Sequence, residues 1–447
     1  MSDMREESPS TWSLVRLGEF VESEKGKKPR MEQKDQDNLF NIPYVDIEAF
    51  EQGVIKSWTN GEECRLCDES DFLMVWDGSR SGLVGKGKKG ALGSTLVRIN
   101  FPGIYNPYSF YFLQSKFLEI NSRAKGSGTP HVDPDLLWNY KFPVAPLKEQ
   151  TRIVAKIEEL FSELDKGVEA LTTAREQLNA YRQSVLKHAF DGKMTADLRP
   201  THKAWRNIRL GDELEFLTSG SRGWAEFYAK SGDTFIRAQN LKYDRLDLTD
   251  IAYVKLPEGN TEGIRTRVQV GDVLVTITGA NVTKTGIVDS DMGAAYVSQH
   301  VALCRPRPSI RSRFLYWYLL SEAHGRRQLN EAAYGAGKPG LNLDNIKSVA
   351  ISLPSPQEQA IVVERIEAAL SVEQSFSESI DAELQRTNAL RQSVLKQAFS
   401  GHLVSQDPTD EPASELLKRI RTERAKASAS KPGRKTKKIR KEKETAR

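Results

Sequence analysis

The chain is written twice. Arg182-Gln183-Ser184-Val185-Leu186-Lys187 returns unchanged 209 residues later as Arg391-Gln392-Ser393-Val394-Leu395-Lys396. At the same separation Glu149-Gln150 matches Glu358-Gln359, and Val154, Ile157, Glu158, Ala189, Phe190 and Gly192 match Val363, Ile366, Glu367, Ala398, Phe399 and Gly401. Residues 149–192 and 358–401 share 18 identities in 44 ungapped positions. A repeat of this size fixes the architecture before any local propensity is weighed. Two similar units can sit about a pseudo-two-fold axis, the symmetry that duplex DNA also carries.

The repeat has an opening as well as an ending. Trp12-Ser13-Leu14-Val15-Arg16-Leu17-Gly18-Glu19 resembles Trp205-Arg206-Asn207-Ile208-Arg209-Leu210-Gly211-Asp212, here 193 residues apart. The second middle stretch is therefore 16 residues longer. Ends that match around middles that differ suggest common scaffolding around two different readers.

Short β-rich runs broken by Gly, Asn and Asp predict α+β domains over 12–146 and 205–355. The expected strands are 42–47, 72–76 and 95–99, then 233–237, 272–277 and 300–303. The expected helices are 108–123 and 313–328. A long helix is predicted over 147–192, starting near Pro146 and ending at Gly192. Its apolar stripe is Ile153, Ile157, Leu160, Leu164, Val168, Leu171, Leu178, Tyr181 and Val185, spaced as in a coiled coil. It would run on the order of 65 Å at ~1.5 Å per residue. The second copy, 356–401, carries Val362, Ile366, Ala369, Ile380, Leu390 and Val394, interrupted by Glu373, Ser377 and Thr387. Packing the two helices antiparallel, between the domains, resolves both stripes. The remaining segments read as a loose N-terminus (1–11), a linker (193–204), a C-terminal linker with a short helix (402–430), and a basic tail (431–447) expected to be disordered.

The net charge of +5 is local. The tail holds nine Lys/Arg and two Glu, leaving the rest of the chain at −2. Such a tail adds phosphate affinity without base information. Two other stretches are basic and free of acid: 78–118, with Arg80, Lys86, Lys88, Lys89, Arg98 and Lys116, and 292–321, with Arg305, Arg307, Arg311 and Arg313. One such stretch in each repeat is what a phosphate-facing surface needs. A solvated loop beside other elements' acids is the plainer reading. Three cysteines form no disulfide framework and fit a reducing cytoplasm. No run has the length of a membrane span, and the polar N-terminus is not a secretory signal.

No catalytic constellation is present. Gly82 to Lys89 nearly spells a phosphate-binding loop, but Lys89 stands where a Ser/Thr must hold magnesium. Asn106-Pro107-Tyr108-Ser109 lacks the second proline of an amino-methyltransferase signature, and no glycine-rich cofactor loop accompanies it. Cys64 and Cys67 have zinc-type spacing without a second pair. No metal site is expected.

Each domain closes with a glycine stretch, a short strand and a proline ahead of Glu-Gln. These are Gly126 to Pro130 and Phe142 to Gln150, then Gly335 to Leu341 and Ser352 to Gln359. With the repeated Arg-Gln-Ser-Val-Leu-Lys-x-Ala-Phe-x-Gly ending, the chain resembles the specificity subunit of a type I restriction–modification enzyme, a bacterial defence system, over nearly its whole length. The resemblance implies two target-recognition domains, each reading one half of an asymmetric bipartite site on double-stranded DNA. It also implies two methyltransferase subunits docked on the helices and further restriction subunits, in the cytoplasm. Those partners would use S-adenosylmethionine, ATP and Mg; this chain would hold no cofactor and no catalytic residue. A free-standing DNA-binding regulator and a coiled-coil scaffold without DNA binding are the other readings.

Side chains that pair with base edges or phosphates give the candidate DNA contacts. They are Arg80, Ser81, Lys86, Lys88, Lys89 and Lys125 in the first domain. In the second they are Arg237, Gln239, Asn240, Asn281, Thr283, Lys284, Gln299 and Lys338. The candidate spacer and docking positions are Glu149, Gln150, Ile157, Leu164, Leu171, Arg182, Gln183, Glu358, Gln359, Ile366, Arg391 and Gln392.

Overall fold

The structure is a computed structural model that describes residues 9–126, 128–198, 204–242, 244–257, 259–334 and 339–429. It divides into two compact units. The first joins the chain up to Glu169 with the chain from Leu384 onward; the second is Ala170–Glu383. Both divisions fall inside long helices, Leu147–Phe190 and Pro356–Phe399, so each unit holds one end of each.

The two units share one plan. In the first, Glu22–Lys25, Leu96–Asn100, Phe72–Val75 and Val84–Lys86 form a four-stranded antiparallel sheet in that order. In the second the same sheet is built from Leu214–Ser219, Val301–Pro306, Val273–Thr276 and Thr285–Ile287. A second sheet in each unit contains one parallel pair, Ile42–Val45 with Gly90–Leu92 and Asp233–Ile236 with Ala295–Val297. A two-stranded ribbon joins the opening motif to the end of the domain, Ser13–Arg16 with Lys141–Val144 and Arg206–Arg209 with Ala350–Leu353.

The central strands are buried on both faces, which their continuous apolar runs demand. Alternation along a strand sends neighbours to opposite cores. Leu73 and Val75 enter the core facing the second sheet, while Met74 enters the core facing the helices. In the second unit Leu274 faces one way and Val273 and Val275 the other.

The helical runs expected over 108–123 and 313–328 are each broken. Asn106–Ser115 stops at Lys116 before Phe117–Ser122, and Ser312–Leu320 stops at extended Ser321 before Gly325–Ala332. The break at Ser321 is stabilised locally, since its carbonyl accepts from the backbone N–H groups of His324 and Arg326. The long helices end where expected, at Gly192 and Gly401, both with positive φ. There Lys193 N bonds back to His188 O, and His402 N to Gln397 O.

The impure stripe of the second long helix has a physical answer within the second unit. Glu373 is buried and accepts bonds of 2.8–3.2 Å from Arg182 on the first helix. Tyr181 donates to Ala369 O and Arg175 pairs with Asp381. The helices here run antiparallel, since 175 to 182 meets 381 down to 369. Inside the first unit Arg391 pairs with Asp165 and lies over the Phe161 ring.

Residues 9–11, expected to be loose, are pinned. Thr11 O accepts from Ala413 N, and Thr11 Oγ1 donates to Gln406. The C-terminal helix, Ala413–Ala429, buries Leu416, Leu417 and Ile420 in the core of the first unit. Arg421 and Arg424 lie over Phe20, and Arg421 pairs with Glu19. The basic tail and Lys338 lie outside the described residues, as do residues 1–8.

Candidate nucleic-acid interface

Each unit carries one tight loop between the third and fourth strands of its main sheet, and the two loops are the same loop. In the first unit Val75 N bonds Leu83 O, Gly82 N bonds Val75 O, Ser81 N bonds Gly78 O, and Leu83 N bonds Arg80 O. In the second unit Thr276 N bonds Lys284 O, Thr283 N bonds Thr276 O, Val282 N bonds Gly279 O, and Lys284 N bonds Asn281 O. All four bonds recur 201 residues later. A fifth ties each loop to the glycine–proline segment near the domain's end, Gly78 N to Pro130 O (2.7 Å) and Gly279 N to Pro339 O (3.1 Å). These bonds place Pro130 and Pro339, in the glycine stretch that closes each domain, directly beside the loop. Backbone bridges flank it, Lys125 with His131 in the first unit and Tyr334 with Gly340 in the second.

Left-handed backbone shapes the loop. Gly78 and Gly82 have φ of +125° and +92°, and Gly279 has +93°. At the position equivalent to Gly82, the second unit carries Thr283 with φ +70°, strained for a β-branched residue. Its buried hydroxyl donates to Asn330 Oδ1 at 2.8 Å, which helps hold it there.

The candidate contacts separate into three groups. Ser81, Asn240 and Thr283 are buried. The Asn240 amide accepts from Arg237 N and donates to the carbonyls of Asp247 and Asp250. A second group is exposed or half-buried but paired. Arg80 bonds Glu51 (2.6 Å), Lys125 bonds Asp133 (2.9 Å) and Lys284 bonds Asp244 (3.0 Å). Arg237 and Gln239 both reach Asp250, Asn281 Nδ2 reaches Ala238 O at 3.4 Å, and Gln299 meets the His300 ring. The salt bridge raises the Lys125 pKa and lowers that of Asp133. Lys86, Lys88 and Lys89 form the third group, without an ion pair among the described residues.

The acid-free basic stretches resolve unequally. Arg98 pairs with Glu24 and Asp71, and Arg305 with buried Asp272, whose hydrogen bonding raises the Arg305 pKa. Arg313 pairs with Asp289 and Glu367. The lysines of 86–89 remain the open cationic group of the first loop region.

The near-miss motifs have structural roles. Gly82–Lys89 runs through the second strand of the hairpin Phe72–Val75/Val84–Lys86 and on to the strand Gly90–Leu92, rather than leading into a helix. The Asn106 amide holds Phe101 N and Asn100. The Cys67 thiol donates to Lys88 O, and burial pushes its pKa up to about 11.

The opening and closing motifs meet in each unit. Trp12 Nε1 donates to Glu149 (3.1 Å) and Trp205 Nε1 to Glu358 (3.0 Å). Gln150 accepts from Tyr105 N and donates to Ala145 O; Gln359 accepts from Arg311 N and donates to Pro354 O. Burial raises the Glu149 pKa against these donors. Gln183 bridges to Leu320 O and Glu322 N. Ile157 and Ile366 are core residues, Leu164 packs against the core, Leu171 is half-buried and Gln392 is exposed.

The family model described as the type I restriction modification DNA specificity domain matches residues 9–173 and 203–386. A type I restriction enzyme MjaVIII specificity subunit from Methanocaldococcus jannaschii is 27% identical over 376 residues, covering 80% of this chain and 86% of its own. The EcoKI specificity subunit of Escherichia coli is 26% identical over 353 residues, covering 74% and 75%. A chain from a structural study of complex assembly and conformational transition in a type I R-M system aligns with a TM-score of 0.56 at 20% identity. That alignment covers 89% of this chain and 99% of that one, and it shows a shared fold.

Proposed function

Because the chain belongs to the type I restriction modification DNA specificity family, we propose that it is the sequence-reading subunit of such a complex. Each unit reads one half of an asymmetric, bipartite site on double-stranded DNA. The observation that carries this reading is the loop pair: one backbone frame, repeated in both units, bearing different side chains. A frame shared by two readers fixes position, and the side chains on it fix sequence.

The chemistry belongs to partners. Two methyltransferase subunits dock on the long helices and use S-adenosylmethionine, and restriction subunits use ATP and Mg. Val372 and Phe376, four residues apart on the second long helix, are exposed apolar side chains, and Tyr181 on the first is exposed as well. Such positions favour a helical partner. Glu149, Gln150 and Gln359 are instead buried and Glu358 half-buried, all held in internal bonds, and they act on docking through the shape they hold. Among the described residues no helix is long and apolar enough to cross a membrane, and we place the complex in the cytoplasm.

The test is to co-express the full chain with a modification subunit and map methylated adenines by single-molecule sequencing. Two different short motifs separated by an unread spacer are expected. A single contiguous motif would contradict the reading.

A further inference from the structure

Arg80 in the first unit and Asn281 in the second occupy the same position of the same loop. Each lies three residues before the residue whose N–H returns to its own carbonyl, Leu83 N to Arg80 O and Lys284 N to Asn281 O. With that carbonyl engaged, the side chain is what the position offers. The two side chains differ in a way that matters for DNA. Arginine matches the O6 and N7 acceptors of guanine, and asparagine matches the N6 donor and N7 acceptor of adenine. We propose that this position selects a base in each half-site, Arg80 a guanine and Asn281 an adenine. The inference rests on the DNA-reading role proposed above and names the residues that carry it.

The rest of the loop narrows the choice to this position. Ser81 is fully buried. Gly82 has no side chain, and its counterpart Thr283 is buried against Asn330. Asp77 is held by Lys25 at 2.7 Å. Ser79 and Ala280 are exposed but short. Arg80 is the long exposed side chain of the first loop, 57% accessible, and Glu51 holds it at 2.6 Å while being only 12% accessible itself. One guanidinium N–H is engaged there, and the planar group has five. Glu51 is thus a positioning residue. It lies in the helical turn Ile47–Gln52 that follows the parallel strand Ile42–Val45. The corresponding turn in the second unit, Ala238–Leu241 after Asp233–Ile236, supplies the carbonyl that Asn281 meets at 3.4 Å. Both side chains are steadied from the same side of the same frame.

The neighbouring position varies in the same manner. Lys125 and Tyr334 sit at equivalent bridges beside the loop, one a cation and the other an exposed aromatic. Lys125 is a point charge held by Asp133 at 2.9 Å, and Tyr334 lacks the two-atom edge that Arg80 (two donors) and Asn281 (a donor and an acceptor) present to a base, so base selection is assigned to position 80/281.

The test uses the full-length chain assembled with its modification subunits and a pool of duplexes of randomised sequence. Bound DNA is sequenced for the unaltered protein, Arg80→Ala, Arg80→Asn and Asn281→Ala. Arg80→Ala is expected to relax the preference for G·C at one base pair of one half-site by roughly 5- to 150-fold, the discrimination of one bidentate contact. Asn281→Ala should do the same for A·T in the other half-site, and Arg80→Asn should move the preferred pair from G·C towards A·T. Each variant should leave the opposite half-site unchanged. Uniform weakening across all sequences would show a phosphate contact and overturn the proposal. A lowered thermal midpoint with an unaltered motif would show a purely structural role and overturn it too. If the unaltered complex enriches no bipartite motif, the DNA-reading role itself fails and takes this inference with it. The two alanine variants lie in separate units, so misfolding of one leaves the other to decide.

Discussion

The indole of Trp12 donates to the Glu149 carboxylate over 3.1 Å, joining the first residue of the repeat's opening motif to the Glu-Gln pair that ends its closing motif. Gln406 donates to the other oxygen of the same carboxylate at 2.6 Å, so the chain's C-terminal segment is tied to the same point. The equivalent bond, Trp205 to Glu358, recurs in the second unit, where Thr195 supplies the second donor at 2.7 Å. Two motifs that stand far apart in sequence are thus the two halves of one clasp.

Removing the acceptor leaves the buried Trp12 indole N–H unsatisfied, while the exposed Gln406 amide turns to water. Glu149→Ala is expected to cost about 1.5–3 kcal/mol, carried by the charged bond from Trp12. Trp12→Phe should cost about the same, and the double variant should cost less than the two together. Chemical denaturation of the full chain measures all three; strict additivity would mean that the two residues do not act through one another.

The Arg182–Glu373 pair makes a different prediction. Glu373→Ala leaves a partly buried guanidinium without its carboxylate, at a cost of about 2 kcal/mol, within the range of a hydrogen bond to a charged group. Arg182→Met combined with Glu373→Leu should be near neutral, because burying ions has its own cost. A double variant as unstable as Glu373→Ala would assign the pair a net stabilising role.

His324 makes stability depend on pH. Burial lowers its pKa below 6.5, although Asp191 at 3.2 Å opposes the shift. Lys187 and Arg327 reinforce the lowering. A depressed folded-state pKa means the neutral ring is the folded form. Its contribution is therefore complete above about pH 6.5 and lost as pH falls through the folded value. Denaturation midpoints at about pH 7.5 and 5.5 should converge for His324→Gln relative to the unaltered chain. Equal pH slopes for the two proteins would contradict this.

Truncation after Glu411 removes Leu416, Leu417 and Ile420 from the first core. At about 1.5–3 kcal/mol for each buried side chain, the loss is on the order of 5 kcal/mol. Hydrogen exchange should rise across the first unit, including Phe101–Ile104, where Gly103 packs against Ile420. Exchange in Ala170–Glu383 should stay as it was; a matching rise there would refute a local role for the helix.

What was legible in the sequence follows physical range. The repeat, the long helices and their glycine stops are local signals, and they were readable. The partners of Glu149 and Glu373 were not, since Trp12 and Arg182 lie 137 and 191 residues away. Glu373 read as a flaw in an apolar stripe because only the other helix explains it. The kinship of Arg80 and Asn281 was hidden for another reason. Their separation of 201 matches neither 193 nor 209, and the seven-residue segments 77–83 and 278–284 share a single identity, Gly78 with Gly279. The hydrogen-bond pattern preserves what the residue types do not. Asn240 and Thr283 suit base contacts by residue type, yet their polar atoms are engaged internally.

The most direct measurement of the central claim, that each unit reads its own half-site, is a module exchange. Residues 12–146 are replaced by the matching segment of a relative with a different target, and methylated adenines are mapped in cells that also express the modification subunit. A motif with one half replaced and the other half intact is expected. A motif altered in both halves would contradict the claim.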